Sequence, residues 1–336
     1  MKFDVKSADW FLRSVLLRIY ILVFTFGCTA PLFAQGGVAG AFLRLGIGAR
    51  AKAMGDAYTA LARGIEASYY NPAGLPFLES KELMTSFRFL SLDRQFTYVG
   101  FGVPIHPKVD KSGSRAVDGG FALSWIRAGV GDIDGRDSDG RHFADLSNSE
   151  NAFVFSFALN PTGVLSLGLS VKVLWNRFPD IGINGETVSA TGVGFDFGAL
   201  FTPSEWVTFG IAIKDINSKY TWNTDKIFGE DGSQSINKFP VIVRTGVAFK
   251  VPQIPNVTWA FEYEDSKELD SRIHLGAEGI YQEVIVLRGG FDDGAITAGG
   301  GYQFNLFGKT SQLNYAFITP GNRPEEEHIF TWVLQF

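Results

Sequence analysis

The sequence is poor in the groups that carry most chemistry. Cys28 is the single cysteine in 336 residues, so the chain cannot build a disulfide framework or a thiolate metal site. The four histidines, His106, His142, His274 and His328, are scattered; they make no HExxH zinc motif, and no Gly-x-Ser-x-Gly elbow accompanies them. A Ser–His pair assembled across strands around His274 is the remaining hydrolase reading. The blander one, preferred here, sets His274 among polar neighbours, beside Glu278 or Arg288. No uninterrupted apolar run is long enough to cross a bilayer as a helix. Bases are outnumbered by acids, 30 to 35, which argues against nucleic acid as a partner.

What is abundant points elsewhere. The chain has 31 phenylalanines and 39 glycines, an excess that suits a barrel in lipid, where outward phenylalanine is tolerated and tight turns need glycine. The first residues read as an export leader. Lys2, Lys6, Arg13 and Arg18 supply the positive region, Ile19 to Gly27 the apolar core, and Leu32-Phe33-Ala34 the cut, leaving Gln35 as the new start. Lipidation at Cys28 is the alternative. Removing residues 1–34 takes four bases and two acids (Asp4, Asp9) and leaves 26 basic against 33 acidic residues, net −7.

From Glu82 onward the chain reads as about 14 strands, the first near 82–92 and the last near 325–336. In one, Phe153, Phe155, Phe157 and Leu159 alternate with Val154, Ser156 and Ala158; in the next, Leu165, Leu167, Leu169, Val171 and Val173 alternate with Ser166, Gly168, Ser170 and Lys172. Successive side chains on a strand face opposite ways. One face is thus almost wholly apolar. The other carries Lys172, Asp196, Lys214, Arg244, Glu262, His274, Glu278 and Arg288. A water-soluble barrel would bury its apolar face, because unpaired charges are costly inside. Apolar outside and charged inside is the arrangement lipid demands, and closure leaves no unpaired strand edge. The expected fold is all-β: a transmembrane antiparallel barrel of about 14 strands with a plug in its lumen.

Loop lengths orient it. Short connections at Pro161-Thr162-Gly163, Pro203-Ser204 and Gln282 alternate with long ones at 130–148, 177–188 and 217–238. Short turns belong to the periplasm and long loops to the exterior; the 105–117 connection, long yet periplasmic, breaks the pattern. The ending carries Trp332, Leu334 and Phe336 at alternate positions, and looks like the C-terminal signal read by the barrel-insertion machinery.

Residues 37–78 differ from everything after them, being rich in small residues and free of alternation. Met54, Ala57, Tyr58 and Leu61 would share one face of a short helix over 51–62, and Asn71 before Pro72 is biased toward a turn. Gly46-Ile47-Gly48-Ala49-Arg50-Ala51 imitates a dinucleotide fingerprint, but that motif needs a βαβ unit and the chain has no crossover helices. Close packing inside a lumen explains these glycines better, and no cofactor is expected. In an outer loop, Asp132-Ile133-Asp134-Gly135-Arg136-Asp137-Ser138-Asp139-Gly140 is acidic enough to suggest calcium. Arg136 and Phe143, however, stand where an EF-hand needs oxygen ligands. A solvated turn is preferred to a metal site.

The residues Phe42-Leu43-Arg44, Gly46, Gly48-Ala49-Arg50-Ala51, Met54-Gly55 and Tyr70-Asn71-Pro72-Ala73-Gly74-Leu75 resemble the leader of the PorV/PorQ family of outer-membrane proteins, which is similar in architecture to FadL-like transporters. Ala62-Arg63-Gly64 departs from the acidic turn usual in that family. The resemblance implies three parts: residues 1–34 a signal peptide, 35–80 a plug with the Asn-Pro-Ala motif, and 81–336 an outer-membrane barrel. Its motif residues are Gly46, Gly48, Arg50, Gly55, Asn71, Pro72, Ala73 and Gly74. It further implies a non-enzymatic protein of type IX secretion that binds secretion components or cargo. The other reading is a FadL-like channel for hydrophobic small molecules, with Trp175, Phe178, Tyr220 and Trp222 as capture residues and Phe96, Tyr98 and Phe101 along a path or against the plug. The inward charges fasten the plug or pass a ligand; the sequence alone leaves both open.

Overall fold

The computed structural model describes residues 38–107, 117–181, 185–225, 229–321 and 325–336. The export leader with Cys28, and most of the 105–117 connection, lie outside the described residues. The wall begins with β1 (Glu82–Phe89), β2 (Arg94–Ile105), β3 (Asp118–Arg136), β4 (His142–Asn160), β5 (Leu165–Phe178), β6 (Val188–Ser204) and β7 (Val207–Ile216). A small hairpin follows, β8 (Lys219–Asn223) and β9 (Gln234–Lys238). The wall resumes with β10 (Ile242–Val251), β11 (Ile254–Ser266), β12 (Arg272–Tyr281), β13 (Ile285–Asp292), β14 (Ala295–Leu306), β15 (Lys309–Ile318) and β16 (Glu327–Gln335).

Each wall strand pairs antiparallel with the next, β7 pairs with β10 across the hairpin, and β16 returns to β1 with Glu82 opposite Gln335 and Phe89 opposite His328. Fourteen strands therefore close on themselves. Every wall strand has a partner on both sides, so the ladder satisfies its own backbone groups, as hydrocarbon requires.

The alternation sorts side chains between the two faces. In β4, Phe153, Phe155, Phe157 and Leu159 are 40–48% exposed on the outer face, while Ala152, Val154, Ser156 and Ala158 between them are buried. In β5, Leu167, Leu169, Val173 and Trp175 point outward and Ser166, Ser170, Lys172 and Leu174 inward. An apolar outer surface of this extent has no place in water.

Three parts of the chain depart from the sequence reading. The 130–148 connection is mostly strand: β3 and β4 run 19 residues each and pair as far as Arg136 opposite His142. The 217–238 connection contains β8 and β9, which continue the β7–β10 pair beyond a break where Asp215 and Asn217 take φ of 62° and 56°. The helix expected over 51–62 is confined to Ala49–Ala53, because Gly55 and Asp56 turn left-handed (φ 63° and 65°). Met54, Ala57, Tyr58 and Leu61 consequently do not share a helical face.

If the outer face meets hydrocarbon, Leu169→Arg should destabilise the barrel by about 2–4 kcal/mol, and Tyr281→Arg at a strand end by about 0–1 kcal/mol. Denaturant unfolding of protein reconstituted in lipid vesicles measures both. Equal costs at the two positions would refute that placement.

Candidate functional site: the inner segment and its cavity

Residues 38–80 pack against the inward side chains of the wall. Their local form follows from small residues and left-handed glycines: a 3-10 turn at Ala41–Arg44, the helix Ala49–Ala53, a second short helix Ala67–Tyr70, and a 3-10 turn at Pro72–Phe77. Asn71 closes the second helix. Its side chain accepts from the Ala73 amide at 3.2 Å and donates to the carbonyls of Thr59 and Ala199 at 3.0 and 3.1 Å. The turn lies so close to the wall that a Cβ at Gly198 would stand 2.0 Å from Asn71 Oδ1, and one at Gly168 would stand 2.4 Å from the Ala73 nitrogen. Gly55 is required twice over, by its φ and because a Cβ there would meet the Leu275 and Phe291 carbonyl oxygens at 2.3 and 2.4 Å.

Charge ties one side of the segment to β10–β13. Arg50 donates two hydrogen bonds to Glu278, at 2.8 and 2.9 Å, and Glu278 also accepts from Arg288 at 2.6 Å. Lys52 reaches Asp292 at 2.8 Å, and Asp56 meets Arg244 at 3.0 Å. Glu262 accepts from the amides of Tyr58 and Thr59 at 2.9 and 2.7 Å and lies 3.2 Å from Arg244, which also pairs with Glu264. Paired and hydrogen-bonded in this way, the buried charges avoid most of the penalty of isolation.

Toward β2–β5 the segment's own side-chain hydrogen bonds are with neutral groups. Ser68 shares hydrogen bonds with the hydroxyls of Tyr98 and Ser124 at 3.1 and 2.8 Å, and Ser166 donates to the Ala73 carbonyl at 2.6 Å. Above this side, at the end bearing the long loops, a cavity of about 500 Å3 opens between the inner segment and the wall. Phe42, Leu45, Leu90, Ala128, Ile133 and Phe178 give it its apolar lining, while Arg94, Glu150 and the run Glu325-Glu326-Glu327 supply charged groups. That volume lies within the range of small-molecule sites, which are mostly apolar with a few polar groups.

The eight inward charges expected from the sequence are all buried, and they fall into two groups. Arg244, Glu262 and Glu278 touch the inner segment directly, Arg288 acts through Glu278, and His274 faces the Gly55 carbonyl. Lys172 pairs with Asp196 at 2.7 Å and with Asp215, a tie within the wall, and Lys214 sits 3.6 Å over the Tyr69 ring. His274 is not beside Glu278 or Arg288. Its Nδ1 is 3.1 Å from Asp292, because the register sets it opposite Glu262 and Asp292. Of the residues proposed for a path, Phe96 and Tyr98 face inward. Phe101 has the outward parity and stacks on Phe336.

Among the capture aromatics, Trp175 is on the outer face and Tyr220 is buried with its hydroxyl 3.0 Å from Glu150; only Phe178 lines the cavity. In the acidic outer segment Asp134 bonds Arg136 and His142, and no metal-holding group of three is found among the described residues. Trp332 and Phe336 lie on the outer face at the end of β16.

The sequence reading passed over Lys52, Asp56, Asp292 and Asp215, and left Glu264 out of its charged set although its parity was plain. Glu264 and Asp292 continue the inward parity of Glu262 and Arg288 and could have been read from it. Asp215 could not, since it points inward only because of its left-handed turn. Glu262→Ala should leave the Tyr58 and Thr59 amides without their acceptor and take one of three carboxylates from Arg244, a loss of about 3–5 kcal/mol. Hydrogen exchange at Tyr58 and Thr59 reads this directly, and Glu262→Gln, which keeps an acceptor, should lose less. Unchanged exchange in the alanine variant would show that the carboxylate does not hold the segment.

No family model matches the sequence, and no curated protein does. Solved structures do match it. The P. putida toluene transporter TodX aligns with a TM-score of 0.56 and 16% identity over 87% of this chain and 99% of that one. A Pseudomonas aeruginosa FadL homologue aligns with a TM-score of 0.56 and 11% identity over 83% and 95%. CymD, a monoaromatic hydrocarbon channel, aligns at 0.54 and 13% over 87% and 98%. At these identities the likeness speaks for the fold, and neither PorV/PorQ nor type IX secretion is supported by it. The chain has the closed 14-stranded architecture of FadL-like outer-membrane barrels.

Proposed function

We propose that the protein is a non-enzymatic outer-membrane channel that admits small hydrophobic molecules through the cavity at its long-loop end. The observation that carries this reading is the cavity's position and lining. It is mostly apolar with a charged margin, sized for a small molecule, and floored by the Ala41–Arg44 turn of the inner segment. In a barrel of FadL-like architecture the long loops face outward, so the cavity would be the first apolar surface an incoming molecule meets. Passage then requires the inner segment to shift or the molecule to leave sideways through the wall. The secretion role rests on the leader motif alone.

Uptake of a labelled monoaromatic hydrocarbon and a labelled fatty acid by cells bearing the barrel tests the proposal. Filling the cavity with Ala128→Trp should cut uptake by about tenfold while leaving barrel assembly, read by heat-dependent electrophoretic mobility, unchanged. Uptake equal to that of cells lacking the barrel, together with secretion proteins co-purifying in stoichiometric amount, would overturn the channel reading in favour of the secretion one.

A further inference from the structure

On the outer face of the wall, above its apolar band at the long-loop end, stand two exposed arginines. Arg127 on β3 and Arg177 on β5 have the outward parity of Leu123 and Trp125, and of Val173 and Trp175. Neither makes a hydrogen bond or ion pair with a side chain among the described residues. At the level of the headgroups an arginine with no acidic partner is free to meet a lipid phosphate. β4 runs between them, with Asn151 opposite Arg127 and Ser149 opposite Arg177. Strand spacing and rise put the two Cα atoms roughly 12 Å apart, and both side chains border a recess of about 930 Å3 that Thr97 and Ser149 also line. Asp93 and Asp132 lie on the rim of this recess, and Arg94 is turned back onto the Ser91 carbonyl at 3.0 Å.

A second feature lies directly toward the membrane centre on the same strands. On the outer face Val99, Phe101, Leu123, Trp125, Phe153 and Phe155 surround a groove of about 270 Å3 over the backbone of Gly100, Ser124 and Val154. At its upper end Trp125 stacks on Phe153 at 6.4 Å and donates to Asn151 at 3.1 Å, the amphipathic placement usual at a membrane interface. Arg127 is the next outward residue above Trp125. Cation, interfacial tryptophan and apolar groove thus follow one another along β3 in the order headgroup, boundary and acyl chain.

We propose that this face of β2–β5 binds a phosphate-bearing lipid of the leaflet at the long-loop end, with Arg127 and Arg177 on the phosphorylated headgroup and an acyl chain in the Val99–Phe155 groove. Guanidinium is the side chain best matched to phosphate, and the hydroxyl and amide groups of Ser149 and Asn151 lie between the two. The site goes beyond the hydrocarbon channel and does not rest on it, although its recess adjoins the channel's cavity at Leu90, Arg94 and Val130.

The test uses the detergent-solubilised full chain. A diphosphorylated lipid and its dephosphorylated counterpart with the same acyl chains are offered in turn, and retained lipid is counted by native mass spectrometry. The wild type should prefer the phosphorylated lipid by about tenfold, and the Arg127→Gln/Arg177→Gln double variant should lose that preference. Leu123→Trp, which fills the groove, should lower retention of both lipids, and Lys309→Gln at the opposite end should change nothing. Electrophoretic mobility confirms that each variant is folded. A wild type without preference, or a double variant that keeps it, would overturn the headgroup assignment; undiminished retention by Leu123→Trp would overturn the groove. The readout is lipid retention, so it fails or succeeds independently of hydrocarbon uptake.

Discussion

A stretch of backbone that belongs to no sheet, enclosed by a wall whose outer face is apolar, must find its hydrogen bonds in the side chains around it. Most of the architecture follows from that constraint. The Ala49 amide takes Thr331, the Tyr58 and Thr59 amides take Glu262, and the Ile65 amide takes Glu82. The Gly46 and Ile47 amides are met from within the segment by Tyr69 and Tyr70. Each such contact fixes what the inward position of a strand must be, so the wall's polar residues record the path of the segment they surround. A buried amide left alone would cost about 1–3 kcal/mol, which makes these acceptors structural whatever else they do.

The same constraint explains the glycines of the wall. Side chains fill a barrel interior only where nothing else does. Gly120, Gly168, Gly198, Gly210 and Gly276 each face inner-segment backbone or side chain closer than a Cβ would allow. The glycine excess of the composition is thus shared between turns and a second use, the close seating of the segment.

The strands were legible in the sequence because lipid imposes a strict rule: one face apolar, the other free to vary. That rule exposes the period in Phe153–Leu159 and Leu165–Val173 without any alignment. What was not legible depends on relations between strands. His274 was given the wrong neighbours because its own strand offers Glu278 four residues on, whereas register brings it Asp292 from β13. The β3–β4 extension was hidden because beyond the membrane both faces are wet, and residues 130–148 lose the alternation that marks a strand. The short helix ended early for a local reason, the left-handed pair Gly55–Asp56. A glycine inside a helical pattern is a weak point visible in any sequence, but Asp56, held by Lys52 and Arg244, carries no such sign.

The inner segment is held unequally, and the inequality coincides with the cavity. Toward β10–β13 the ties are ionic and mutually reinforcing, since Arg244 serves Asp56, Glu262 and Glu264 together. Toward β2–β5 they are hydroxyl pairs and apolar contacts around Ser68, Tyr98, Ser124 and Ile126. Separating neutral hydroxyls from one another exposes no unpaired charge, whereas breaking the ionic side strands several at once. A displacement of the segment that preserves the barrel would therefore cost least by hinging on the charged side and parting on the neutral one. Phe42 and Leu45 floor the cavity beside that side, where the Leu45 carbonyl also accepts from Arg88 of β1 at 2.7 Å, so deepening the cavity costs that one cationic tie besides the neutral ones.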